Sequence, residues 1–309
     1  MIHITMLGTS ALMPIPERAL TSALLQYNGH SILFDCGEGT QTAARKAHVS
    51  LMKTDIIALT HYHGDHIFGL PGLLQTMSMM GRTEPLHIIA PNNAEESLAP
   101  ILHITGHVSF EIRFPHMPED GLPLDSIHSG WGSEARLCAF QTEHRVPSLG
   151  YCFTLSRCGK FMPERAKALG IPVRQWGILQ KGQSVVADGR TILPNQVLGE
   201  PRKGLKVVFS GDTSACASLE HAAHAADLLI SEATYGENEQ SELAVSHGHM
   251  NFAHAARIAK TAEVRRLWLT HFSQMMENPQ EYLPNATDIF ADAVCCEDGM
   301  NIDLDFEES

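Results

Sequence analysis

Short apolar runs, each closed by glycine, proline or a polar cluster, recur along this chain. Runs of that length, rich in Ile, Val and Phe, read as buried strands. They predict strands at Met1–Leu7, Ser31–Asp35, Ile56–Thr60, Leu86–Ala90, Ser109–Phe114, Leu137–Glu143, Tyr151–Ser156, Lys206–Phe209, Asp227–Ser231 and Leu267–Thr270. Between them lie stretches with helical spacing, near Glu38–Lys46, Ala215–Ala226 and Phe252–Ala262. Asn251 stands where its side chain can cap the last of these, by accepting from a free backbone N–H. Met77, Met79 and Met80 read as packing one helix face, as methionine fills irregular cores. The end, Asp303–Glu308, reads as a final strand fraying into an acidic tail. Strands that alternate with helices and are apolar throughout predict an α/β (α+β) fold, with sheets covered by helices.

One segment departs from this rhythm. From Arg157 to Pro201 the chain is rich in Gly, Pro and basic residues, and Lys160, Arg165, Lys167, Arg174, Lys181 and Arg190 are followed by Arg202 and Lys203. It separates two strands and reads as an inserted arm, residues 157–201.

Chemistry concentrates at one strand end. His61-Tyr62-His63-Gly64-Asp65-His66 follows the run Ile56–Thr60 and precedes Gly69-Leu70-Pro71-Gly72. Imidazole nitrogen suits zinc and similar ions, and carboxylate oxygen suits harder ones. Four donors in six residues are too dense for one tetrahedral ion and divide between two. The chain holds 18 histidines, so density alone says little. The strand–loop–helix setting is what marks this run as a site. Further donors close other apolar strands: His144, Asp212 after Gly211, and His271. We assign His61, His63 and His144 to one ion and Asp65, His66 and His271 to the other, bridged by Asp212. These donors suit zinc, with Mn, Fe or Co as alternatives. His221, His224 and His254 fall in helical stretches, and His103, His107, His116 and His128 have no ligand-like setting.

This ordered set resembles the metallo-β-lactamase superfamily. Leu7-Gly8-Thr9-Ser10, Asp35-Cys36-Gly37-Glu38-Gly39-Thr40-Gln41, Phe68-Gly69-Leu70-Pro71-Gly72 and Gly211-Asp212-Thr213 narrow the resemblance to the ribonuclease Z group, over nearly the whole chain. The resemblance implies a four-layer αββα sandwich with an inserted arm, and the metals at one edge of the sheets. It implies a metal-dependent endonuclease that removes the 3′ trailer of precursor tRNA with a hydroxide held between two metal ions. Asp65 would act as base while ligating. Glu232 and His249 would relay a proton to the leaving 3′-oxygen, with His247 the nearest competitor for that role. The arm would grip the tRNA body, one subunit of a homodimer serving the other's active site. Two segments depart from the family pattern. Ser231-Glu232-Ala233-Thr234 stands for His-Glu-Ala-Thr, and Gly248-His249-Met250-Asn251 for Gly-His-Ser-Thr.

Composition narrows the setting. The 309 residues are 44% hydrophobic, enough for a sizeable core. Ligands spread from His61 to His271 require both halves to meet at one site, which predicts one domain over residues 1–309. The first residues lack the basic start of a signal peptide, and no apolar stretch reaches the ~20 residues of a membrane span. Seven cysteines without a paired framework indicate a reducing compartment, the cytoplasm. A net charge of −13 excludes a uniformly basic surface, so any nucleic-acid footprint must be local. Two other classes stay open on this reading: a small-molecule hydrolase (phosphodiester, sulfate ester or lactone) and a non-catalytic RNA-binding scaffold. The acidic balance favours the first of these.

Overall fold

The computed structural model describes residues 1–307. Two seven-stranded sheets stack face to face. In spatial order the first holds Asn301–Leu304, Ile2–Gly8, Ser22–Tyr27, His30–Phe34, Thr54–Ala58, Leu86–Ile89 and Ile112–Arg113. The second holds Ala293–Cys295, Leu267–Thr270, Leu228–Glu232, Arg202–Phe209, Leu149–Arg157, Ala135–Gln141 and Leu122–Pro123. Each sheet mixes parallel and antiparallel pairs.

Strand alternation builds three apolar layers, because successive side chains face opposite sides of a sheet. Ile32 and Phe34, Ile56 and Ala58, Val207 and Phe209, and Leu228 and Ile230 meet in the core between the sheets. The intervening Leu33 and Ile57 face helices Thr40–Lys46, Leu70–Met79 and Ala94–Thr105. Val208 and Leu229 face helices Ala217–Ala223 and Phe252–Thr261 on the other side. The result is the αββα order. Asn251 does cap its helix: its Oδ1 accepts from His254 N at 2.9 Å.

Several expectations need correction. Ser109–Phe114 supplies only the two-residue edge strand Ile112–Arg113; an edge strand needs few ladder bonds and ends early. Helix Ala217–Ala223 is shorter at both ends than its apolar spacing suggests. Met77 is buried, but Met79 and Met80 face solvent where helix Leu70–Met79 runs out. The last strand is Asn301–Leu304, and Glu308 of the expected tail lies outside the described residues.

The irregular segment is more ordered than its composition suggests. It carries helices Pro163–Ala168 and Val173–Gln180 and the hairpin Val185–Ala187/Arg190–Ile192. Ala166, Ile171, Leu179, Val185, Ile192 and Val197 form a small core of their own, with Trp176 against it. The segment leaves the second sheet at Arg157 and returns at Arg202, two residues that pair across the ladder. Among the described residues no helix is long and apolar enough to cross a membrane.

Candidate functional site

Parallel strands bring the donors to one edge. Thr54–Ala58 leads into His61–His66, Arg202–Phe209 into Asp212, Leu228–Glu232 into Thr234, and Leu267–Thr270 into His271. Loops beyond the carboxyl ends of strands are the usual place for ligands in open α/β sheets. His144 arrives differently, in the loop after the antiparallel strand Ala135–Gln141. Gly211 lets the Asp212 turn form. Its φ is +60°, and a Cβ there would lie 2.9 Å from the Leu149 carbonyl oxygen.

The seven donors converge. His61, His63, His144 and Asp212 offer ligand atoms within 4.8 Å of one another, as do Asp65, His66 and His271. Asp212 touches both groups: its Oδ2 is 3.8 Å from His61 Nε2 and 3.4 Å from His66 Nε2, and its Oδ1 is 3.3 Å from His271 Nε2. His249 joins Asp212 and His271 in a third close set.

The outer nitrogens are tied down, which aims the inner ones. His66 Nδ1 lies 2.8 Å from Asp35 Oδ2, and His271 Nδ1 lies 2.9 Å from Thr234 Oγ1. His144 Nδ1 donates to the Gly248 carbonyl at 2.8 Å. Such partners fix the ring and tautomer of a ligating histidine. His66 Nε2 and His271 Nε2 are consequently buried with no hydrogen-bond partner. Orphaned buried polar atoms are costly, and here both face carboxylates in one cluster. The donor set therefore fits divalent metal ions.

Electrostatics agree. Burial pushes His61 down to about 2, helped by the neighbouring His66, so it stays neutral as ligation requires. Burial alone would raise the Asp212 carboxyl, but facing His271 and His66 hold it well below its ordinary value. Burial would likewise raise Asp65, and the His271 and His66 side of the pocket outweighs it. Burial pushes Asp35 up against the pull of His66, and His66, against its own burial, is raised by Asp212 and Asp35.

Beside this cluster sits a second unit. Glu232 is buried at its strand end. Its Oε1 accepts from Thr213 N at 2.9 Å and pairs with His249 Nδ1 at 2.8 Å. Its Oε2 accepts from Thr234 Oγ1 at 2.8 Å and Met250 N at 3.1 Å. Burial works against a charge on His249, but Glu232 outweighs it and lifts the imidazole to about 9. His247 instead pairs with Tyr235 Oη at 2.6 Å. The residues that depart from the family pattern serve the fold. Ser231 bonds the Glu232 carbonyl, Met250 is core, and Asn251 caps a helix, so none of their side chains contacts the Glu232 carboxylate.

The sequence reading missed Asp35, Thr60 and Thr234 as orienting groups. Asp35 accepts from Thr60 N at 2.7 Å and Thr60 Oγ1 at 2.9 Å while holding His66. An acid closing a buried strand was the available sign. For Thr60 and Thr234 the sequence offers none. His63, Asp65, His144, Asp212, His249 and His271 line a cavity of about 990 Å³, to which residues 157–201 contribute no lining.

Comparison with known proteins places this arrangement. Family models described as "Anti-Pycsar protein Apyc1" and "Beta-lactamase superfamily domain" match residues 2–105 and 196–272. Ribonuclease Z of Agathobacter rectalis is 40% identical over 310 residues, covering 100% of both chains. Ribonuclease Z of Clostridium tetani is 40% identical over 311 residues, covering 99% of this chain and 100% of its own. The crystal structure of human tRNase Z, short form, aligns with a TM-score of 0.68 at 28% identity, covering 98% of this chain and 100% of that one. The metallo-β-lactamase fold protein YhfI of Bacillus subtilis shares the fold, with a TM-score of 0.68 at 21% identity, covering 97% of this chain and 98% of its own. With 40% identity along the whole length of both chains, on the fold and donor cluster described above, the chain belongs to the ribonuclease Z family.

Proposed function

We propose that this protein is a metal-dependent endonuclease that cleaves the 3′ trailer from precursor tRNA. The observation that carries it is the pairing of two donor groups that share Asp212 with a Glu232–His249 pair whose imidazole lines the same pocket. The donors are mostly imidazole, which favours zinc, and we assign His61, His63 and His144 to one ion and Asp65, His66 and His271 to another, with Asp212 between them. Bound there, such ions supply Lewis acidity: a more acidic water and countercharge for phosphoryl oxygens.

The chain's own groups divide the remaining work. Asp65 takes the proton of the attacking water. Its position is fixed by the Leu12 amide, which donates to Asp65 Oδ2 at 2.7 Å. Glu232 holds His249 by Nδ1 and keeps it protonated, which leaves Nε2 to protonate the leaving 3′-oxygen. The expected products are a tRNA with a free 3′-hydroxyl and a 5′-phosphorylated trailer.

The arm supports a homodimer. Strand Leu149–Arg157 starts at the catalytic edge, where Leu149 N donates to Thr60 O, and ends at the arm. At about 3.3 Å per residue the arm is rooted about 26 Å from the donors of its own subunit. It carries seven Lys or Arg against three Asp or Glu, in a chain with 22 against 35. Basic side chains there would bind the tRNA backbone by releasing counterions, while the substrate enters the active site of a second subunit. We read residues 1–309 as one catalytic domain with this arm inserted. All seven cysteines are free, which supports a cytoplasmic location.

The test is cleavage of a labelled precursor tRNA by zinc-loaded protein, mapped at nucleotide resolution, with Asp65→Ala as control. A metal-dependent cut beside the discriminator base, absent from the control, is the expected result. No cut, with intact metal and turnover of a small phosphodiester, would reassign the chain to small-molecule hydrolysis.

A further inference from the structure

The pocket mouth carries an unusual lip. Leu12 is 72% exposed, Met13 53%, Phe68 65% and Met275 82%, and all four line the catalytic cavity. Exposed apolar side chains scattered singly need no explanation, but four around one active site do.

The backbone holds them there at a cost. Leu12 has a φ of +64°, a conformation that branched or bulky residues avoid. In that conformation its amide reaches Asp65, a candidate ligand, while its side chain stays in the cavity mouth. Strain of this kind persists where surrounding structure imposes it, and it clusters at functional sites. Ser10 Oγ donates to the Met13 carbonyl at 2.9 Å, and Ala11 N to the Phe272 carbonyl at 2.9 Å. The loop carrying Met275 is braced as well. Buried Arg18 pairs with Ile15 through both backbone groups and donates through Nη2 to the Met276 carbonyl at 2.7 Å. It thus joins the loop carrying Leu12 and Met13 to the loop carrying Met275.

The charge of the cavity says what the lip can hold. Among the described lining residues Arg145 is the one Lys or Arg, and Glu38 and Glu237 also face in. A row of phosphates would meet repulsion there beyond the one phosphate held at the metal donors. The flat apolar face of a base would not. Methionine also makes favourable sulfur–aromatic contacts.

We propose that Leu12, Met13, Phe68 and Met275 form a base-binding lip that grips the unpaired nucleobase next to the scissile phosphate, with Arg18 setting its width. This rests on the nuclease reading above and adds to it a requirement for unstacked, single-stranded nucleotides at the cut.

The experiment pairs the double variant Met13→Ser/Met275→Ser with Met79→Ser, a substitution at an exposed methionine that is not part of the cavity lining. Both positions of the double variant are exposed, so folding is spared. Cleavage kinetics are read on precursor tRNA and on the same precursor with an abasic nucleotide first in the trailer. We expect the double variant to raise KM on the intact precursor about tenfold, the loss falling on KM more than on kcat. Wild type and variant should converge on the abasic substrate, and Met79→Ser should behave as wild type. Equal losses on both substrates, or no loss, would overturn the lip. In parallel, binding of a labelled tetra-adenosine with non-hydrolysable methylphosphonate linkages is followed by anisotropy. If wild type cuts no precursor yet binds this ligand about tenfold better than the double variant, the lip stands and the nuclease reading falls. If wild type cuts the precursor and both proteins bind the ligand alike, the lip falls alone. Failure of wild type both to cut and to bind overturns both.

Discussion

The catalytic edge and the arm are built on opposite principles. At the edge, His61, His66, His271, Asp212, Asp35 and Glu232 are buried, and every outer nitrogen described above is held by a named partner. In the arm the basic side chains face solvent around a small core of mostly aliphatic residues. Buried charged groups are expensive to misplace, so the edge tolerates little change. Exposed basic groups act through long-range attraction and individually matter little. On the function proposed above, the difference separates chemistry from grip. Changes at the edge should act on metal and turnover, and changes in the arm on affinity and its salt dependence.

The largest effect should come from the shared carboxylate. Asp212→Ala is expected to remove bound metal and cleavage together, measured by mass spectrometry of the native protein and a cleavage assay. Retention of both would break the view that the two donor groups depend on one residue. Next comes His249, the proton donor proposed above. His249→Ala should keep its metal and slow turnover by about 10²–10⁴, the usual range for a general acid. Normal turnover would remove Glu232 and His249 from the chemistry.

A smaller effect is expected one layer out. Asp35→Asn keeps the shape beside His66 and loses the charge. It should weaken metal binding by about 10–100-fold, read by chelator competition. An unchanged affinity would mean that Thr60 and the fold alone orient the ring. The smallest change per residue belongs to the arm. Arg165→Glu with Arg174→Glu should raise KM for precursor tRNA and lower the salt slope of binding by about one for each phosphate that is no longer neutralised. Turnover of a small phosphodiester should stay as it was. A drop in that turnover would break the separation between the two regions.

The local record in the sequence was informative where a feature is local. Ile56–Thr60 and Val207–Phe209 announce strands because a short unbroken apolar run, buried on both faces, is written in consecutive residues. The run from His61 to His66 announces ligands because four donors lie within one loop. Met79 and Met80 misled because an apolar residue at a helix end looks like one in its middle. Ser109–Phe114 misled because alternation of polar and apolar residues cannot say how many neighbours a strand will find. The arm's helices and hairpin were hidden by Gly and Pro, which serve there as turns between real elements.

The sequence by itself determined which residues can ligate, which stretches form strands, and that residues 157–201 differ from their surroundings, because residue type, spacing and alternation are properties of neighbours in the chain. Only the tertiary structure decided that Asp212 reaches both donor groups, that His249 rather than His247 meets Glu232, that Asp35 holds His66, that the arm stands at the end of the sheet away from the donors, and that Leu12 and Met275 share one pocket mouth. Those are contacts between residues far apart in sequence, and their geometry exists only once two twisted sheets have packed and brought their strand ends together.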